Sequence, residues 1–105
     1  MAKAKATMTW YDVMVSEFHA HSAEQDAEDG DYEEALANIA KAKACLGVSR
    51  SRILKTIARL ACDELDRAAS AASIGEAWGT SYNLDQAIHT LSILMAVLPD
   101  AQNPQ

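Results

Sequence analysis

The sequence predicts an all-α protein, a compact four-helix bundle, and three observations carry that reading. Half of its 105 residues are apolar, with alanine the commonest, and glycine and proline are scarce at four and two. Apolar residues also recur at three- and four-residue spacing in four separate stretches. A chain of this length fits one domain with a modest core of its own. That domain is expected over residues 9–98, with a flexible N-terminus at 1–8 and a flexible tail at 99–105.

The first helix is predicted over about 9–28. Thr9 is its N-cap, and Trp10, Met14, Phe18 and His21, widened by Tyr11 and Val13, form its apolar stripe. Gly30 can take the left-handed conformation that closes a helix, and Asp31 can cap the next. The second helix is predicted over about 32–46, with Ala35, Leu36, Ile39, Ala42 and Leu46 on its core side. Glu33 and Glu34 in its first turn and Lys41 and Lys43 near its last suit the helix dipole, and Gly47 follows. The third helix, about 49–74, starts at a Ser49 or Ser51 cap and carries Ile53, Ile57, Leu60, Ala61, Leu65, Ala68 and Ala72 in one phase.

Residues 75–82, GEAWGTSY, hold two glycines and a tryptophan, so they predict an ordered loop with Trp78 packed onto the bundle. Asn83 with Gln86 predicts a capping box for a fourth helix over about 83–98, ended by Pro99. Its core face is Leu84, Ala87, Ile88, Leu91, Leu94 or Met95, and Leu98. Ile93, Met95 and Val97 add a second apolar face, which predicts self-association, most simply as a homodimer.

Several function classes are excluded by pattern. His19 and His21 lie two apart on a helix, pointing about 200° from each other, and cannot chelate one ion. A calcium loop with Gly30 at its sixth position would need ligands at Gln25, Ala27 and Leu36. No metal is expected. Cys45 and Cys62 lack ligand spacing and read as small hydrophobes, unbonded to each other, and Cys45 near a helix C-terminus sits in the wrong field for a thiolate. No nucleophile–base pattern and no glycine-rich phosphate loop appears. The expectation is a protein that is not an enzyme, with no cofactor and no small-molecule substrate. The basic N-terminus has no apolar run behind it and no stretch suits a bilayer, so a cytoplasmic protein without a membrane partner is expected.

Charge is unevenly placed. Residues 1–34 carry nine acids and two lysines, residues 35–67 seven basic residues and three acids, and residues 68–105 three acids, which together give the net −6. Glu24, Asp26, Glu28, Asp29, Asp31, Glu33 and Glu34 form an acidic patch that suits a basic protein partner.

GDYEEALANIAKAKACLG, residues 30–47, resembles the second helix of a tetratricopeptide hairpin, with Tyr32, Ala35, Ile39 and Ala42 at the motif's aromatic, small and packing positions. The resemblance implies a helical hairpin that binds proteins or peptides. LGVSRSRILKTI, within residues 46–57, is similar to the turn and recognition helix of bacterial helix-turn-helix domains of the inversion-stimulation and enhancer-activator type. Ala42, Gly47, Val48, Ile53 and Ile57 occupy that family's anchoring places, and Lys43 stands where it usually has alanine. That resemblance implies DNA contacts from Arg50, Arg52, Lys55 and Arg59, residues that an acidic protein surface would also suit.

The function expected is protein binding, by an adaptor, regulator or inhibitor, a build shared by small virus-encoded inhibitors of host machinery. The alternative is a helix-turn-helix DNA-binding regulator using the helix that starts near Ser49, with DNA as the lesser partner. A weaker alternative is an acidic mimic of nucleic acid.

Overall fold

A computed structural model describes residues 8–47, 49 and 51–98; Arg50, Val48, Pro99 and the ends expected to be flexible, 1–7 and 99–105, lie outside the described residues. Four helices follow one another: α1 (Trp10–Glu28), α2 (Tyr32–Ala44), α3 (Arg52–Ser73) and α4 (Ala77–Val97), with no strand among the described residues. α1 packs on α2 and α4, and α3 packs on α2 and α4, so the helices close a ring.

Cross-helix contacts set the directions. On α1 and α2, the Ser16 hydroxyl donates to the Ala42 carbonyl at 2.7 Å, and the Asn38 amide donates to Asp26 at 2.7 Å. On α3 and α4, the Thr90 hydroxyl donates to Glu64 at 2.7 Å, and Gly79 backs onto Ala71. On α1 and α4, the Ser92 hydroxyl approaches Glu17 at 3.4 Å and Glu24 meets Asp85. Each pair runs antiparallel, which gives an up-down-up-down bundle with short connections.

Local chemistry explains the boundaries. Thr9 and Asp12 close a capping box at the start of α1, Asp31 accepts from the Glu34 amide to cap α2, and Ser51 accepts from the Leu54 amide to cap α3. Gly30 and Gly75 both hold positive φ, at 79° and 68°, where the chain leaves α1 and α3. α2 ends at Ala44, two residues short of the expected 46.

The core is built from small residues. Ala20, Ala23, Ala27, Ala35, Ala42, Ala58, Ala61, Ala68, Ala72 and Ala87 are all buried, around larger side chains at Val13, Ile39, Leu54, Leu65, Leu84, Leu91 and Leu94. Alanine at a helix contact brings the two axes toward the short end of the usual 8–10 Å. Aromatic rings do not fit between helices that close. Trp10, Tyr11, Phe18, Trp78 and Tyr82 are all exposed, Phe18 to 65% and Trp78 to 70%, and Tyr32 is half-buried.

This overturns four expectations. The core face of α1 is Val13, Ser16, Ala20, Ala23 and Ala27, while the expected stripe of Trp10, Tyr11, Met14 and Phe18 faces solvent. Both rows have helical spacing, and the small one wins because it allows closer packing. In the first turns of α3, Leu54 and Ala58 are buried and Ile53 and Leu60 are exposed, with Ile57 half-buried against the core. α4 begins at Ala77, not near 83, so most of GEAWGTSY is helix, Trp78 is not packed down, and Asn83 donates to the Gly79 carbonyl instead of capping. The cap is Glu76, whose carboxylate accepts from the Gly79 amide at 2.6 Å. Close approach of α3 favours glycine at 79, since a Cβ would displace that carboxylate and stand 3.2 Å from the Ala71 Cβ. Met8, expected in the loose N-terminus, is buried in the core.

Glu64 is itself buried, and the Thr90 hydroxyl donates to it. Thr90→Val keeps the volume and removes that donor, so it should destabilise the fold by about 1–3 kcal/mol. Urea unfolding of the two proteins checks this, with the midpoint falling at unchanged m-value.

Candidate protein-binding surface

The positions of α4 that face away from the core are Ala77, Trp78, Tyr82, Asp85, Gln86, His89, Ser92, Ile93, Ala96 and Val97. Asp85 is the only Asp, Glu, Lys or Arg among those ten, whereas α3 carries seven such residues in its 22. Solvent-facing helix positions ordinarily carry charge, so this face stands apart in being nearly free of it.

Neighbouring helices extend the face. The Glu64–Thr90 and Ala71–Gly79 contacts fix an antiparallel register that sets Leu60 level with Ile93 and Ile57 with Val97, and exposed Ile53 lies one turn beyond Ile57. Ile74, at the C-cap of α3, stands beside the start of α4 and is 77% exposed. At that end the Trp78 and Tyr82 rings stack in parallel, with centroids 5.0 Å apart and 7° between planes. On the other flank, α1 presents Trp10, Tyr11, Met14 and Phe18. Phe18 and Tyr11 lie seven residues apart on the outward side of α1, with Val15 between them.

The residues expected for self-association divide. Ile93 and Val97 lie on this face, but Met95 turns inward and packs against the core, a half-turn from its neighbours. Sequence reasoning missed Leu60, Ile53, Tyr82, Tyr11 and Phe18 as surface residues because it assigned most of them to the core or to a loop. The available signal was the competing alanine row on each helix.

The acidic patch is not one sheet of free carboxylates. Asp31 is spent on the α2 cap and Asp26 accepts from Asn38, while Glu28, Asp29, Glu33 and Glu34 are exposed around the α1–α2 turn. Glu24 is half-buried between α1 and α4. Burial first, and then the hydrogen-bonded Asp85 carboxylate, raise its pKa from 4.5 to about 7, with Glu28 adding repulsion.

Arg52, Lys55 and Arg59 are exposed and share one flank of α3, and Arg50 lies outside the described residues. Lys55 and Arg59 edge a shallow groove of about 350 Å³ whose other walls are Leu46, Gly47, Ala58 and Cys62. The groove lies where α2 has ended and Leu46 and Gly47 stand opposite the first turns of α3. Lys43 is exposed and pairs with Asp66 of α3 at 2.7 Å; the four-apart Arg59–Asp63 and Asp63–Arg67 pairs do not close. Burial pushes the Cys62 thiol up, more than Lys43 pulls it down, so it stays protonated at neutral pH. Cys45 and Cys62 are not joined in a disulfide. Among the described residues, no three His, Cys, Asp or Glu side chains converge on a metal position, and no helix is long and apolar enough to cross a membrane.

A carboxyl whose folded pKa lies above its unfolded value binds its proton more tightly in the native state, so stability is full below about pH 4.5 and declines as pH rises toward about 7. Glu24→Gln should flatten that part of the stability-versus-pH curve, measured by urea midpoints across the window, because the amide still donates to Asp85 and does not titrate. Comparison with protein-family models, with curated proteins and with solved structures matches the chain to none of them.

Proposed function

We propose that this chain is a non-enzymatic binding protein, an adaptor, regulator or inhibitor, that recognises another protein through the α4 face and its flanks on α1 and α3. The observation that carries the reading is the near absence of charge on the outward side of α4, ten positions with one acid, in a chain whose other helices are well charged. Burying one large apolar side chain at an interface yields about 1.5–3 kcal/mol before the costs of association. Tyr82, Ile93, Val97 and Leu60 therefore supply a centre of the kind that dominates protein recognition. The polar and acidic remainder of the surface supplies a rim.

The double variant Tyr82→Arg, Ile93→Arg changes exposed side chains and should keep the helical circular dichroism of the wild type. It should lose at least about tenfold in affinity, roughly 1.4 kcal/mol, for any protein that the immobilised wild type retains and that is then titrated in purified form. Equal affinity for wild type and variant overturns the reading.

A second reading rests on the three exposed cations of one α3 flank, Arg52, Lys55 and Arg59, none of which is held in an ion pair among the described residues. It is nucleic-acid binding. Titration of labelled duplex should then show steep salt dependence, and Arg52→Ala should lower the salt slope by about one. Absence of binding at low salt removes this reading.

A further inference from the structure

We propose that the partner of the α4 face is a second copy of this chain, docked with its α4 antiparallel to the first across a two-fold axis. The proposal rests on the reading that this face binds protein, and it names the partner.

The first argument is the order of the side chains. Trp78, Tyr82, Gln86, His89, Ile93 and Val97 are spaced by 4, 4, 3, 4 and 4 residues, which reads the same in both directions. An antiparallel α4 therefore places a side chain opposite every side chain of the row. Trp78 meets Val97, Tyr82 meets Ile93, and Gln86 meets His89, each twice. Large flat rings lie against branched aliphatic groups at both ends, and the two polar pairs meet at the axis. A two-fold contact requires this self-complementarity. A parallel pairing would stack Trp78 on Trp78 and leave Ile93 on Ile93, with no partner of different shape.

The second argument is charge. The one acid on the face, Asp85, falls beside His89 of the second copy, so its carboxylate gains a hydrogen-bonding group. At longer range, the acidic α1–α2 turn with Glu28, Asp29, Glu33 and Glu34 lies at one end of the bundle, and Arg52, Lys55 and Arg59 lie toward the other. Antiparallel docking sets unlike ends level with each other; parallel docking would set like ends together.

The third argument is extent. Ile53, Leu60 and Ile74 on α3 border the same row, with Ile74 near Trp78 and Leu60 level with Ile93. Under the two-fold, Leu60 falls beside Tyr82 of the second copy, and Ile57 falls level with its Trp78, with exposed Ile53 one turn beyond. α4 is about 31 Å long at 1.5 Å per residue, so the row with its α3 border covers roughly 600 Å² per copy in projection. That is of the order of the roughly 800 Å² per partner in a standard interface.

Sedimentation equilibrium of the full chain should show a dimer whose association weakens at least tenfold in Ile93→Arg and likewise in Tyr82→Arg, with helical circular dichroism unchanged. Mixing the single variants Tyr82→Cys and Ile93→Cys under mild oxidation should give a disulfide between position 82 of one copy and 93 of the other, mapped by mass spectrometry. The wild type, which retains Cys45 and Cys62, is the control on the non-reducing gel. Dominant 82–82 and 93–93 disulfides, or a dimer indifferent to both arginine variants, would overturn the proposal. A wild type that stays monomeric overturns it too. If that monomer still binds a foreign protein in an Ile93-dependent manner, the protein-binding reading survives and self-pairing alone fails; if it binds none, both fail.

Discussion

Close approach of the helices across layers of alanine is the constraint on which the rest of this structure depends. Ala20 and Ala23 on α1, Ala35 and Ala42 on α2, Ala61 and Ala68 on α3 and Ala87 on α4 are fully buried, and space between them is too narrow for a ring. The same closeness lets Ser16 reach a backbone carbonyl of the neighbouring helix and brings Gly79 against Ala71. Polar contacts then fix the register that alanine alone would leave slippery, because a row of identical methyl groups slides by a turn at little cost. Ser16 to Ala42, Thr90 to Glu64 and Glu24 to Asp85 each tie one pair of helices at one level.

Expulsion of the large side chains follows from that thin core, and an exposed apolar surface follows from the expulsion. A bundle of this size usually spends its tryptophans and phenylalanine on its interior. Here those rings and several β-branched or leucine side chains stand outside, concentrated on α1, α4 and the border of α3, while α2 carries acids and lysines and no exposed large apolar residue. The molecule is therefore two-sided, with an apolar side centred on α4 and a charged side centred on α2. Such segregation has no stabilising role in an isolated domain, because water meets the apolar side. It acquires one as soon as another surface covers it.

Sequence patterns revealed the architecture better than the faces. Thr9, Asp31 and Ser51 are caps because their side chains match orphan amides whatever the helices later pack against, and Gly30 turns the chain by its own conformational freedom. Which side of a helix is buried is a tertiary property. α1 has two rows at helical spacing, and ranking them by hydrophobic size selects Trp10, Met14 and Phe18 when distance between helices selects Val13, Ser16, Ala20, Ala23 and Ala27. Gly79 misleads for a related reason: glycine marks a loop in local terms, but here it marks contact between α3 and the start of α4. Ile93 and Val97 were legible as surface because α4 is apolar nearly all round at that end, so no choice of core could hide both. The acidic run was legible as charge, but its division into capping, bridging and exposed carboxylates depends on Asn38 and Asp85, which the chain brings from elsewhere.

Folding and the binding proposed for the α4 face are linked through the same constraint. A buried alanine methyl contributes on the order of 0.8 kcal/mol, against about 1.5–3 kcal/mol for a buried leucine or phenylalanine, so an alanine core yields less stabilisation per ordered residue than a mixed one. The missing apolar burial has not vanished from the sequence; it stands on the surface at Trp78, Tyr82, Ile93, Val97, Leu60 and Phe18. Whatever covers that surface binds the folded ring of helices and not the unfolded chain, because the row exists only when α4 is helical and held against α3. Occupancy therefore adds to the stability of the bundle by mass action, and the folded population rises with the concentration of whatever covers the face.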